Sequence, residues 1–179
     1  MKLLLIFCIQ LLSLFIFAQD KMVEKSGKII FEASVPSFEE ITALNDSVSC
    51  SLGTKTGEID CIAIVKKFQF KLSLMEEHFN KNYLQSNIYP TARFKGIING
   101  FNSNIIGDTP KKFTLIGKLK IHGKSKKINT IVTLIKRNNQ LLLFSDFDIN
   151  LDDYNISIPS IVSYKVAKTI HLKSEFSLK

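Results

Sequence analysis

The sequence predicts a single, mainly antiparallel all-β domain, and three observations predict it. Apolar and polar residues alternate with a period of two over most of the chain, with β-branched and aromatic residues at the alternating positions. Turn-forming clusters such as Asn102-Ser103-Asn104, Gly107-Asp108-Thr109-Pro110, Gly123-Lys124 and Asn138-Asn139 separate the alternating runs. No regular succession of strand and helix, of the kind that builds a parallel sheet, interrupts them.

Taken in order, the candidate strands are residues 28–33, 47–52, 58–72, 91–100, 112–122, 128–136, 141–151 and 168–178. In the fifth of these Phe113, Leu115, Gly117, Leu119 and Ile121 share one face, while Thr114, Lys118, Lys120 and His122 share the other with a single Ile116. The fourth sets Phe94, Gly96 and Ile98 against Arg93 and Lys95. The last sets Ile170, Leu172, Phe176 and Leu178 against Thr169, His171, Lys173 and Glu175. Each therefore reads as a strand with one buried and one wet face. A helix is inserted at about 73–85: Ser73 and Glu76 have the spacing of a capping box, and Met75, Phe79 and Tyr83 recur every four residues. A shorter helical turn is expected at about 160–166. Eight strands with short connections make one sandwich or one barrel, and alternation alone does not separate the two.

The first residues carry a different signal. Lys2 precedes an apolar run from Leu3 to Ala18, broken only by Gln10 and Ser13 and followed by polar Gln19-Asp20-Lys21. The run is short for a spanning helix, which needs about 20 apolar residues, so residues 1–18 read as a cleaved signal peptide and residues 19–179 as the exported domain. Cys8 follows bulky Phe7 inside the run and is no lipid-attachment site. Removing 18 of 179 residues leaves 161, the size of one domain. The formal charge falls from +8 to +7 with the loss of Lys2. Almost all the positive charge is lysine, and Arg93 and Arg137 are the only arginines, which argues against nucleic-acid recognition through bidentate forks. Periplasmic or secreted localisation is expected. There a disulfide between Cys50 and Cys61 is permitted. A hairpin turning on Lys55-Thr56 sets the two cysteines opposite one another, whereas one turning on Thr56-Gly57 puts them out of register and leaves two half-buried thiols.

No catalytic or metal-binding pattern emerges. His78, His122 and His171 are far apart in sequence, and the latter two fall on outward strand faces. Asp146, Asp148, Asp152 and Asp153 read as a solvated rim. There is no nucleophile elbow, phosphate loop or dinucleotide fingerprint, so neither an enzyme nor a cofactor is expected.

Several motifs carry a resemblance. Phe68-Gln69-Phe70, then Leu74-Met75-Glu76-Glu77-His78-Phe79-Asn80 with Tyr83, then Tyr89-Pro90-Thr91-Ala92-Arg93-Phe94-Lys95-Gly96 resemble the YceI-like family. So do Thr56-Gly57-Glu58-Ile59, the run Gly117 to Gly123 with Lys126, and Asp152 to Pro159. The resemblance spans roughly residues 27–178. It implies an eight-stranded antiparallel, lipocalin-like β-barrel, periplasmic or secreted, whose interior takes a long apolar chain such as a polyisoprenoid or a fatty-acid-like lipid, and it brings no catalytic residues with it.

On this footing Phe68, Phe70, Phe94, Ile98, Leu119, Ile121 and Phe147 are expected to line the interior, with Met75, Phe79 and Tyr83 closing one end. Small inward residues, Gly96, Gly117 and Ser145, either shape a channel or fit the taper of a filled barrel. The expected partner is the lipid, with a passing contact between Lys118, Lys120, Lys124, Lys126 and Lys127 and a membrane surface, and with monomer and homodimer both open. An enzyme acting on the bound lipid and a filled barrel serving as a stress-related, partner-binding protein are the competing readings.

Overall fold

The computed structural model describes residues 21–179, so the expected signal peptide and Cys8 lie outside the described residues. The strands are β1 (Lys21–Ser34), β2 (Thr42–Gly53), β3 (Glu58–Ile64), β4 (Gln69–Phe70), β5 (Thr91–Ile98), β6 (Lys111–Ile121), β7 (Lys124–Arg137), β8 (Gln140–Asn150) and β9 (Val166–Leu178). All neighbours are antiparallel, in the order β1-β9-β8-β7-β6-β5-β3-β2, and β1 pairs back onto β2. Eight strands thus form a closed barrel with no free edge. The two-residue β4 is an appendage beside the start of β2, with Phe70 opposite Ala43.

The expected strand 58–72 is broken, which corrects the sequence reading. β3 ends at Ile64 because its carbonyl accepts from the Asn45 side-chain amide at 3.0 Å, while the Val65 N–H donates to the Pro90 carbonyl at 2.9 Å. A 3-10 turn, Val65–Lys67, then brings both Val65 and Phe68 into the core, a spacing of three that no strand allows. Helix α1 (Ser73–His78) begins where expected but without the capping box. Leu72 is its cap residue, and Glu76 Oε2 accepts from the Phe70 backbone N–H at 3.3 Å instead. The helix widens into a π turn, Phe79–Tyr83, and the chain leaves it through Gln85 in the left-handed region. The helical turn expected at 160–166 is only Ser160–Val162, because Val166 already pairs with Ser34.

Two hairpins turn on left-handed residue pairs, as two-residue loops of this kind require. Asn138-Asn139 joins β7 to β8. His122-Gly123 joins β6 to β7, one residue earlier than expected, since Ile121 pairs with Lys124. That shift takes His122 off the strand. Its ring packs edge-on against Tyr89 with centroids 4.6 Å apart, and its Nδ1 lies 3.1 Å from the Tyr154 carbonyl. The outward His122 of the sequence reading is therefore corrected to a half-buried one. His171 does face outward, between Asp146 and Asp148.

The β2–β3 hairpin pairs Leu52 with Ile59 and Cys50 with Cys61, which centres it on Lys55-Thr56, and the two cysteines are joined by a disulfide. This bridge belongs to the packed half of the barrel. There Val48, Leu52, Ile98, Val132, Leu134, Leu143 and Leu178 are almost wholly buried. The opposite half, where β1, β3, β6 and β8 end, is organised differently.

Candidate ligand cavity

Four segments cross the second end of the barrel: residues 35–41, 65–90, 122–123 and 151–165. Between them and the barrel wall lies a cavity of about 330 Å³. Inward positions follow from the register. Ala63 on β3 stands opposite Ala92 on β5, and both line the cavity, as do Leu119 and Ile121 of β6, Ile149 of β8 and Leu172 of β9. The two alanines keep the wall thin where bulkier residues would fill the space. Above them four rings form one aromatic cluster. Phe31 and Phe70 each pack on Phe79, with centroids 5.4 and 5.0 Å apart, and Phe68 meets both Phe31 and Phe79. Apart from Glu39, His78 and Lys165 at the mouth, the lining side chains are aliphatic or aromatic.

The cavity lining stops at the level of Leu119, whose partner on β5 is Phe94, and what lies beyond makes its floor. Gly96 stands opposite Gly117, and a side-chain carbon added at either would lie within 3 Å of the Phe94 ring. The glycines thus make room for Phe94 rather than for a channel. Beyond this layer the interior is filled. The barrel is therefore half cup and half packed core.

Of the ten residues expected to line the interior, Phe68, Phe70, Met75, Phe79, Tyr83, Leu119 and Ile121 meet in this cavity. Phe94 belongs to the floor, and Ile98, 1% exposed, to the packed half below it. Phe147 shares the inward parity of Leu143 and Ile149 on β8 and packs against the core, but it does not line this cavity. Pairing between β7 and β8 stops at Val132 opposite Ser145, and a second, polar pocket of about 270 Å³ between Lys126–Asn129 and Phe147–Asn150 reaches it there. Sequence reasoning passed over Phe31, Ala63, Ala92, Ile149 and the segment Ile156–Ile158. The inward alanines were legible in principle, because Ala92 alternates with Phe94.

The segment after β8 closes the mouth on one side. Asn150 caps a 3-10 turn, Leu151–Tyr154, by accepting from the Asp152 N–H at 2.9 Å, and left-handed Asn155 ends it. Tyr154 is 1% exposed. Burial, with the Asp153 charge adding to it, pushes its phenol up to about 12. Its hydroxyl has no partner among the described residues. On the outer wall Asp60 binds Arg93 through both carboxylate oxygens and has Lys95 3.6 Å away. The Arg93 hydrogen bonds hold its carboxyl below the usual range. Neither group reaches the cavity. Among the described residues no three histidines, cysteines or carboxylates are grouped to hold a metal.

The family model of the YceI-like domain matches residues 23–178. Solved structures share the fold. A polyisoprenoid-binding domain from Saccharophagus degradans, implicated in plant cell wall breakdown, superposes with a TM-score of 0.76 at 12% identity, over 89% of this chain and 98% of that one. BcnA of Burkholderia cenocepacia gives 0.70 at 17% identity, over 85% and 96%. A YceI protein of Campylobacter jejuni gives 0.54 at 14% identity, over 74% and 81%. No curated protein matches the sequence.

Proposed function

The chain belongs to the YceI-like family, and from that premise we propose that it is an exported carrier. It holds a long apolar chain, polyisoprenoid or fatty-acid-like, inside its barrel for sequestration or transport outside the cytoplasm. It acts by binding rather than by catalysis. The observation that carries this reading is the cavity, about 330 Å³ and apolar except at its mouth. Export rests on the N-terminal apolar run, and the ligand class draws further support from the polyisoprenoid-binding domain that shares the fold. A ligand so sparingly soluble would load and leave at a membrane surface.

The volume limits what is enclosed. Ligand pockets run from roughly 300 to 1,000 Å³, so this one takes the end of a polyisoprenoid and leaves the rest of the chain at the mouth. Each buried CH₂ contributes about 0.8 kcal/mol, or roughly fourfold in affinity. Binding constants for a homologous series of alcohols should therefore climb by about that factor per carbon and then level off once the cup is full. Protein purified without detergent should show, by native mass spectrometry, an added mass that a lipid in its organic extract accounts for. An empty extract, together with no saturable uptake of a fluorescent acyl probe, would falsify the reading.

A further inference from the structure

We infer that the open end of the barrel is a docking surface for an anionic lipid bilayer, with the cavity mouth held against the leaflet. This rests on the lipid-carrier reading and names the surface through which that carrier would work.

Exposed apolar side chains are distributed unevenly. Among the described residues the four most exposed large ones are Ile161 at 79%, Ile88 at 67%, Leu74 at 62% and Tyr164 at 57%. All four lie in the segments that cross the open end. The connections at the closed end contribute only Ile105, at 47%. Isolated exposed apolar residues are ordinary, but a set gathered at one end around a cavity marks an interaction surface.

The local arrangement is repeated. Leu74 faces solvent while its neighbour Met75 lines the cavity, and Ile161 does so beside Val162 and Tyr164 beside Lys165. Phe38 joins them from the 35–41 segment, its ring edge-on to Tyr164 at 5.5 Å. The same loops that wall the cavity thus carry apolar tips outward.

The charge around these tips selects the partner. The β6–β7 hairpin brings exposed Lys120, Lys124, Lys126 and Lys127 to this end, and Lys66, Lys67 and Lys71 follow β3. Glu39 and Glu40 beside Phe38 subtract from this field, while the other exposed acids of these segments are engaged, Glu77 by Lys81, Asp152 by Lys168 and Asp153 by Lys126. Apolar tips within a lysine-rich surround suit the headgroup and acyl boundary of a negatively charged leaflet. Because the same loops carry both the lining residues and the exposed tips, a ligand would pass between bilayer and cavity without crossing water.

The test is co-sedimentation of the purified protein with vesicles of phosphatidylcholine and phosphatidylglycerol in equal parts, beside vesicles of phosphatidylcholine alone. The expected result is binding to the mixed vesicles that weakens with salt. Leu74→Asp with Ile161→Asp should reduce it about tenfold or more, and Lys124→Gln with Lys127→Gln should reduce it for the anionic vesicles only. Both pairs are exposed, and an unchanged melting temperature shows that each variant is folded. Absence of binding to either vesicle, or binding that Leu74→Asp with Ile161→Asp leaves intact, overturns the proposal. So does a dimer in sedimentation equilibrium that those two substitutions dissolve, since a second copy then covers the tips. Extraction keeps the two claims apart: lipid in the extract without vesicle binding sinks the docking surface alone, while vesicle binding with an empty cavity sinks the carrier and leaves the surface standing.

Discussion

Tyr154 is a buried phenol whose hydroxyl has no partner among the described residues, and two predictions follow from it. Leaving such a group unmade costs about 1–3 kcal/mol, so Tyr154→Phe should raise stability by about 1 kcal/mol in urea unfolding. Because its pKa rises from 10 to about 12, its contribution is full below pH 10 and is lost as pH climbs toward 12. Tyr154→Phe should remove that alkaline loss. Asp60 works in the opposite sense. The Arg93 hydrogen bonds lower its pKa from 3.8, so its contribution is present above that value and disappears as pH falls through the lowered one. In Arg93→Ala the Asp60 carboxyl should titrate closer to its ordinary value by NMR, with little change in neutral-pH stability, because the pair is largely solvated. Arg93 and Lys95 were legible as outward residues from alternation. The burial of Tyr154 was not, since it lies in an irregular segment where no period applies.

At the level of the element, the opposed glycines of β5 and β6 are the feature most open to test. A methyl at Gly117 would meet the Lys95 carbonyl oxygen at 2.5 Å as well as the Phe94 ring. Gly117→Ala should therefore cost about 1–3 kcal/mol, as overpacking does, and should shift Phe94 toward the cavity. Ala92→Trp acts from the other side of Phe94. It should fill the cup, keep the fold, and abolish uptake of an acyl probe, which equilibrium fluorescence would read. The β2–β3 hairpin closes a short loop through Cys50 and Cys61, and replacing both by serine should cost about 2–3 kcal/mol. Strand existence was readable in all three cases, because each strand keeps the period of two. Where an element ends was less readable. The break after Ile64 depends on Asn45, nineteen residues earlier, and the cap of α1 depends on a hydrogen bond between Glu76 and Phe70.

The molecule as a whole divides at the Phe94 layer into a packed half and an open one, and its behaviour should divide likewise. Substitutions in the packed half, such as Leu134→Ala at a wholly buried site, should cost about 2–5 kcal/mol in unfolding experiments and leave ligand affinity nearly unchanged. The sequence by itself determined the antiparallel β class, the eight wall strands, the helix at Ser73 and seven of the residues that meet in the cavity. These depend on local period and on motifs, which a linear chain displays. Closure into a barrel, which the family resemblance implied and alternation alone did not, the floor under the cup and the displaced position of His122 were decided by tertiary structure. Each is set by register between strands: β1 pairs with both β2 and the distant β9, Gly96 meets Gly117, and Ile121 pairs with Lys124. A hydrophobic pattern shows which face of a strand turns inward, whereas the space left inside depends on which inward residues the closed sheet brings to the same level.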